Sequence, residues 1–156
     1  QPGDEPGLAA AARSMQVEWD SIKDAQKDSN RLPARHLYIK LRYVNAELSD
    51  EASGEELNFD TLAVEIWDKI ARMEHNRWMA EKSIGGFVPV EKAQDKPLGQ
   101  FLKQNLKCHY DLVPFDALDK ATQKYDTFTF RMAPVIAHLN KKRIVKSLAP
   151  YPKAKK

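Results

Sequence analysis

The chain has a single cysteine, Cys108, so no internal disulfide can form and a reducing compartment is expected. No CxxC, HxxxH or HExxH spacing occurs, which leaves the neighbours Cys108 and His109 without the further ligands that a metal site needs. No run of about 18 apolar residues exists and no signal-peptide pattern opens the chain, so no membrane-spanning helix is expected. A nucleophile elbow and a phosphate-binding glycine loop are also missing. Glu74, Glu81, His75 and His36 are acid-base residue types, but scattered on helices they read as structural, and a nucleotide hydrolase is disfavoured. The sequence opens at Gln1 rather than Met, and upstream sequence is expected.

What is present suits one folded domain of 156 residues, long enough to bury a core. An apolar share of 42% beside a charged share of 30% excludes wholesale disorder. The net charge of +3 is modest, and Lys141, Lys142, Arg143, Lys146, Lys153, Lys155 and Lys156 crowd the C-terminal stretch. Interrupted by Pro150 and Pro152, that stretch reads as a solvated tail, and no specific nucleic-acid binding is expected.

Residues 1–7 read as linker, and 8–28 as helical in pieces. A helix is expected from Ser29-Asn30, either of which can cap it, with Pro33 in the first turn. Leu37, Leu41 and Val44 supply its buried face, and His36 and Lys40 share another face one turn apart. Residues 47–58 are acidic without an apolar pattern and read as a loop. The spacing then predicts the strongest helix, 60–84, capped by Asp60 and stopped by Gly85-Gly86. Leu62, Ile66, Ile70 and Met73 form its core stripe. A second stripe of Trp67, Ala71, Glu74, Trp78, Glu81 and Lys82 mixes two indoles with three charges. Two short extended segments, 87–90 and 109–113, are expected to pair as a minor hairpin. A short helix at 115–123 and a final helix capped near Asp126 and kinked at Pro134 complete the reading.

Laying 19–41 over 115–137 needs no gap. Asp20 meets Asp116, Ala25 meets Ala121, Arg35 meets Arg131, and Trp19 meets Phe115. The expectation is two pseudo-repeated helical units, the first lacking an opening helix unless the Ala-rich start replaces it. The domain plan is a linker or partial helix at 1–13, a domain at 14–148 and a basic tail at 149–156. The domain divides into a first unit at 14–46, the acidic loop 47–58 and a second unit at 59–148.

Within 60–137 the run LAVEIWDKIARMEHNRWMAEKSIGGF contains His75-Asn76-Arg77-Trp78, followed by Gly86-Phe87. His109-Tyr110-Asp111-Leu112-Val113-Pro114-Phe115 and Tyr125-Asp126 come after it, and SNRLPARHLYIKL precedes it. In order and spacing these segments resemble the ryanodine-receptor repeat, covering about three-quarters of the chain. Phe87 stands where the family usually has tryptophan, a later glycine is missing, and the loop 91–107 is longer than in the receptors. The resemblance implies a mainly α fold with at most a small β-hairpin and a module that binds rather than catalyses. Family members carry an aromatic-lined nucleotide cleft. Bacterial relatives are joined to NAD-binding or membrane segments and have been linked to nucleotide signals and antiphage defence.

Trp78 is the leading candidate, since an indole can stack a purine, and Phe87 is a candidate opposite wall. Arg31, His36 and Lys40 on one helix, with Arg77 and Lys82 on the other, suit a phosphate or ribose-phosphate. Glu81 is a candidate acceptor for a ribose or an adenine amine, and the amides near Ser29-Asn30 would add to an anion site. The expected function is therefore a non-enzymatic, cofactor-free sensor of a nucleotide-derived small molecule such as an adenine nucleotide, an ADP-ribose-like compound or a cyclic nucleotide. It would regulate an effector, membrane or NAD-binding region of the same longer protein. Cytoplasmic placement, or the cytosolic part of a membrane-tethered protein, goes with it, and a homo-oligomer is compatible. The alternative is a protein-interaction scaffold using the acidic loop and Trp67.

Overall fold

A computed structural model describes residues 5–50, 54–92 and 96–148 of the chain. The fold is mainly helical with a small two-stranded antiparallel sheet, as expected. In order come α1 (Glu5–Ser21), α2 (Asp24–Tyr43), β1 (Ala46–Ser49) and α3 (Val64–Ile84). They are followed by β2 (Val88–Pro89), α4 (Lys96–Asn105), β3 (Cys108–His109), α5 (Lys120–Tyr125), α6 (Phe128–Arg131), α7 (Ala133–Leu139) and β4 (Arg143–Lys146). Single 3-10 turns occur at Phe59–Thr61 and Phe115–Ala117. No described helix is long and apolar enough to cross a membrane.

The described chain forms two compact units that interleave along the sequence. Of the described residues, the first takes those in 5–66 and 128–148, and the second those in 67–127. This division differs from the linear one read from the sequence, because the C-terminal segment returns to the first unit. The stretches aligned by the repeat also take different forms. Residues 24–43 are one helix, whereas 115–139 break into a 3-10 turn, α5, α6 and α7.

In the first unit α1 lies along α7, and α2 packs against α6 and β1. The Ala-rich opening thus supplies a helix. Leu37 and Leu41 of α2, Phe130, Ala133, Val135 and Ala137 of α6 and α7, and Ile144 and Val145 of β4 are all buried. Phe59 meets Phe130 with ring centroids 5.0 Å apart. Pro134 does not kink a long helix. With no N–H and a ring that crowds the preceding turn, it sits at the start of α7 and separates it from α6.

Three further expectations are corrected here. Helix α2 begins at Asp24, not at Ser29-Asn30, so those residues are inside the helix, their amides form no open N-terminus, and Pro33 is interior. Asp60 does not cap α3. The side chain of Asn58 accepts from the amide of Asp60 and caps the 3-10 turn, and α3 begins only at Val64. The acidic and basic stretches are not a free loop and a free tail. Ala46–Ser49 pairs antiparallel with Arg143–Lys146, and residues 55–57 extend the pairing, Leu57 donating to Ile144 and Lys146 to Glu55. Asp50, Glu56 and Glu55 then pair with Lys142, Arg143 and Lys146 respectively. The tail at 149–156 lies outside the described residues.

The stop at Gly85-Gly86 is where the sequence put it. Gly86 has φ +81°, the amide of Phe87 reaches the carbonyl of Lys82, and that of Gly86 reaches Ser83. This is the Schellman geometry, which a residue with Cβ would strain. The same closure ends α7 at Lys141, φ 54°, with Lys142 donating to Ala137.

Phe130 is fully buried against Phe59. Phe130→Ala is therefore expected to cost about 3–5 kcal/mol, read as a lower urea midpoint with an unchanged slope.

Candidate functional site

The second unit is built on α3. Its two stripes are both inward. Ile70 of the core stripe is fully buried, Ala71 and Glu74 of the mixed stripe are nearly so, and so is His75 next to them. Ala71 packs with Phe115 and Leu118, with Val113 against them. Arg72 fastens the outside of this packing. It bonds Asp68 at 2.7 Å and grips both oxygens of Asp116 at 2.6 and 2.8 Å, with its guanidinium 4.7 Å from the Phe115 ring centroid. The guanidinium in turn holds the Asp116 carboxyl below its ordinary range.

His75, at the centre, is 2% exposed. Its Nε2 is 2.8 Å from the carbonyl of Val113, which can only accept, so Nε2 carries the hydrogen. Its Nδ1 lies 3.3 Å from Asp126. One turn on, the half-buried indole of Trp78 stacks on this imidazole, centroids 5.6 Å apart at 28°, and meets His109 edge-on at 4.9 Å and 79°.

His109 reaches Trp78 through a short strand pair. β2 and β3 pair in parallel, Val88 with Cys108 and Pro89 with His109, so the expected pairing occurs but not as a hairpin. A parallel pair needs a crossover, and α4 provides it. Val88 donates to the carbonyl of Lys107, and Lys107 Nζ donates to that of Gly85 at 3.0 Å, which ties the strand pair to the end of α3. Helix α4 then sets Lys103 4.1 Å from the Tyr110 ring centroid, and Lys92 is 5.4 Å from the same ring. Lys82 Nζ is 5.2 Å from the centroid of Phe87. Among the described residues no cluster of three or more His, Cys, Asp or Glu is placed to hold a metal ion.

Five of the eight residues singled out in the sequence thus come together in this unit: Arg77, Trp78, Glu81, Lys82 and Phe87. Two of them have other duties. Arg77 donates through Nε and Nη2 to Glu74, at 2.9 and 2.8 Å, and through Nη1 to Glu81 at 2.5 Å. That closed triad compensates the burial of Glu74 and occupies the guanidinium, so Arg77 and Glu81 fix α3 rather than face a ligand. The other three lie on α2 in the first unit: Arg31 is exposed, His36 half-buried and Lys40 fully buried. The burial of Lys40 corrects its placement on a face separate from the buried one, because Lys40 follows Leu37 and precedes Leu41 on the inward side. Trp67, put forward for a partner surface, is half-buried.

His109, Tyr110, Lys92 and Lys103 were missed as site residues. They stand in an irregular stretch where no periodicity marks a face; the pairing of β2 with β3 brings His109 to Trp78, while Tyr110 lies beside His109 and carries Lys92 and Lys103 on its ring. Compared with models of known protein families and with curated proteins, the sequence matches none.

Burial, then the charges of Lys103 and Lys82, pushes His109 down to about 4. An ordinary histidine titrates near 6.5 in the unfolded chain. The unfolded state therefore binds more protons between these values, and stability is full above about 6.5 and falls as pH drops towards 4. Asp111, raised chiefly by burial, acts with the opposite sign at the acid end. Melting temperatures measured from pH 4 to 7 should rise with pH, and His109→Gln should flatten that rise.

Proposed function

We propose that this chain is a non-catalytic ligand-sensing domain, resembling the ryanodine-receptor repeat, that binds a nucleotide-derived small molecule at Trp78. The supporting observation is the half-buried indole of Trp78, flanked by His75 and His109, with Lys82 one turn on. Its inner surroundings hold the ring still, while its remaining exposure leaves area on which a base can stack. Such stacking contributes about 1–3 kcal/mol. Lys82 and Phe87, joined across 5.2 Å, supply a cation and a second aromatic group beside it.

A binding role also fits the state of the acid-base groups. His75 is sealed between Val113 and Asp126, and Glu74 and Glu81 are bound to Arg77. The proposed site is confined to the second unit. Binding there would act on an effector, NAD-binding or membrane region of the same cytoplasmic protein by favouring one of that region's states. Against the scaffold alternative, Asp50, Glu55 and Glu56 of the acidic stretch are paired within the chain.

ADP, ADP-ribose and a cyclic dinucleotide, each tested by thermal shift, provide the check, since a tight ligand raises the melting temperature by mass action. At least one should do so and quench tryptophan fluorescence. Trp78→Leu, which keeps apolar bulk, should weaken its affinity about 5- to 150-fold. Silence from all three compounds, or unchanged affinity in the variant, would overturn the proposal.

A further inference from the structure

The charges beside Trp78 are unevenly satisfied. Arg77 is saturated by two carboxylates, but the lysines around it are not. Lys82 lies 3.8 Å from Glu81, whose other oxygen is already committed to Arg77 at 2.5 Å. Lys92 makes a similarly loose pair with Asp119 at 3.8 Å, and Lys103 rests against the face of Tyr110. An ammonium over a ring is attracted to it but gains no acceptor for its three N–H groups. An oxyanion would supply those acceptors.

His109 stands among these cations. Its ring lies 5.4 Å from that of Tyr110, on which Lys103 of α4 rests at 4.1 Å, and it touches Trp78 of α3, one turn before Lys82. From its own loop Asp111 approaches Nδ1 at 3.8 Å, and the Asp111 amide donates to the same nitrogen at 3.2 Å. Nδ1 therefore accepts, and the neutral ring carries its hydrogen on Nε2, leaving one donor for a ligand. With the ring neutral, the contact with Asp111 is no ion pair.

We propose that Lys82, Lys103 and His109 form the subsite for the phosphate or diphosphate group of a ligand stacked on Trp78, and that His109 takes up a proton from solvent when the anion binds. The inference rests on the Trp78 reading and deepens it by locating the charged arm of the ligand. Its physical basis is cancellation. Burial and then two lysines keep the imidazole uncharged, and an anion bound there would offset the lysine charges and stabilise the imidazolium. Binding then strengthens as pH falls towards the value for an ordinary histidine, provided the fold is intact.

Sodium pyrophosphate, adenosine and ADP, titrated separately at low ionic strength, test this while the His109 ring is followed by NMR. Pyrophosphate should bind saturably and move the His109 midpoint up by about 1–3 pH units. Lys82→Gln and Lys103→Gln should each weaken pyrophosphate and ADP about tenfold and leave adenosine unchanged. Lys120→Gln, which removes the same charge from the exposed start of α5, should change none of them. Pyrophosphate binding that is absent, or unchanged by both substitutions, overturns the subsite, and adenosine still sensitive to Trp78→Leu shows that the stacking reading survives. A saturable pyrophosphate complex with an unmoved His109 midpoint overturns the proton uptake. Failure of adenosine and ADP to bind, together with silence from ADP-ribose and the cyclic dinucleotide, overturns the Trp78 reading and this one together.

Discussion

Almost no water reaches His75, yet both of its ring nitrogens meet oxygen. One faces the carbonyl of Val113 and the other the carboxylate of Asp126. Losing the bond to Val113 would leave a buried ring nitrogen unsatisfied at about 1–3 kcal/mol, while Asp126 closes over the other nitrogen at 3.3 Å, so two segments distant in sequence enclose the imidazole. Val113 leads into the 3-10 turn whose Phe115 packs on Ala71, and Asp126 closes α5. The bridge therefore fixes three parts of the second unit against one another. Trp78, stacked on the same ring, inherits that rigidity, and a stacking platform needs it.

Charge in this chain sorts by how well it is satisfied. Arg72 and Arg77 each hold two carboxylates in close geometry and serve as ties within the second unit. In the first unit Lys142, Arg143 and Lys146 meet Asp50, Glu56 and Glu55, which turns two stretches of opposite sign into one sheet edge. Those pairs are exposed, so each contributes little to stability, about 0–1 kcal/mol, while removing the charges from other uses. Lys82 and Lys103 are different. Their nearest neighbours are rings or a carboxylate already engaged, and their electrostatic effect falls on His109.

Local features were legible in the sequence. Helix α3, its stop at Gly85-Gly86 and the cluster of Trp78, Lys82 and Phe87 all lie within one short run whose geometry a helix fixes by itself. The start of α2 was misplaced because Ser29-Asn30 is a good cap in isolation, whereas the helix already begins at Asp24 and carries Pro33 inside. Strand β4 was hidden because only Ile144 and Val145 stand out in a basic stretch, and their burial depends on partners about 90 residues earlier. The site was half-legible for the same reason. His109 approaches Trp78, with Tyr110 and Lys103 behind it, only after α4 has carried the chain across to make a parallel pair, and parallel pairing leaves no turn signal.

The two histidines that touch Trp78 show what that geometry decides. His75 has 2% exposure and oxygen partners at both nitrogens, so a change in its surroundings means a change in the packing of the unit. His109 has one nitrogen occupied by the amide of Asp111, keeps some contact with solvent, and sits under the influence of two lysines. A ring in the second situation can answer to an anion without unfolding anything, because the group that changes is charge rather than contact. The indole lies against both. One side of Trp78 is thus referred to a fixed ring and the other to a more exposed one, and on the proposed reading this asymmetry would let a bound anion be registered while the frame stays in place.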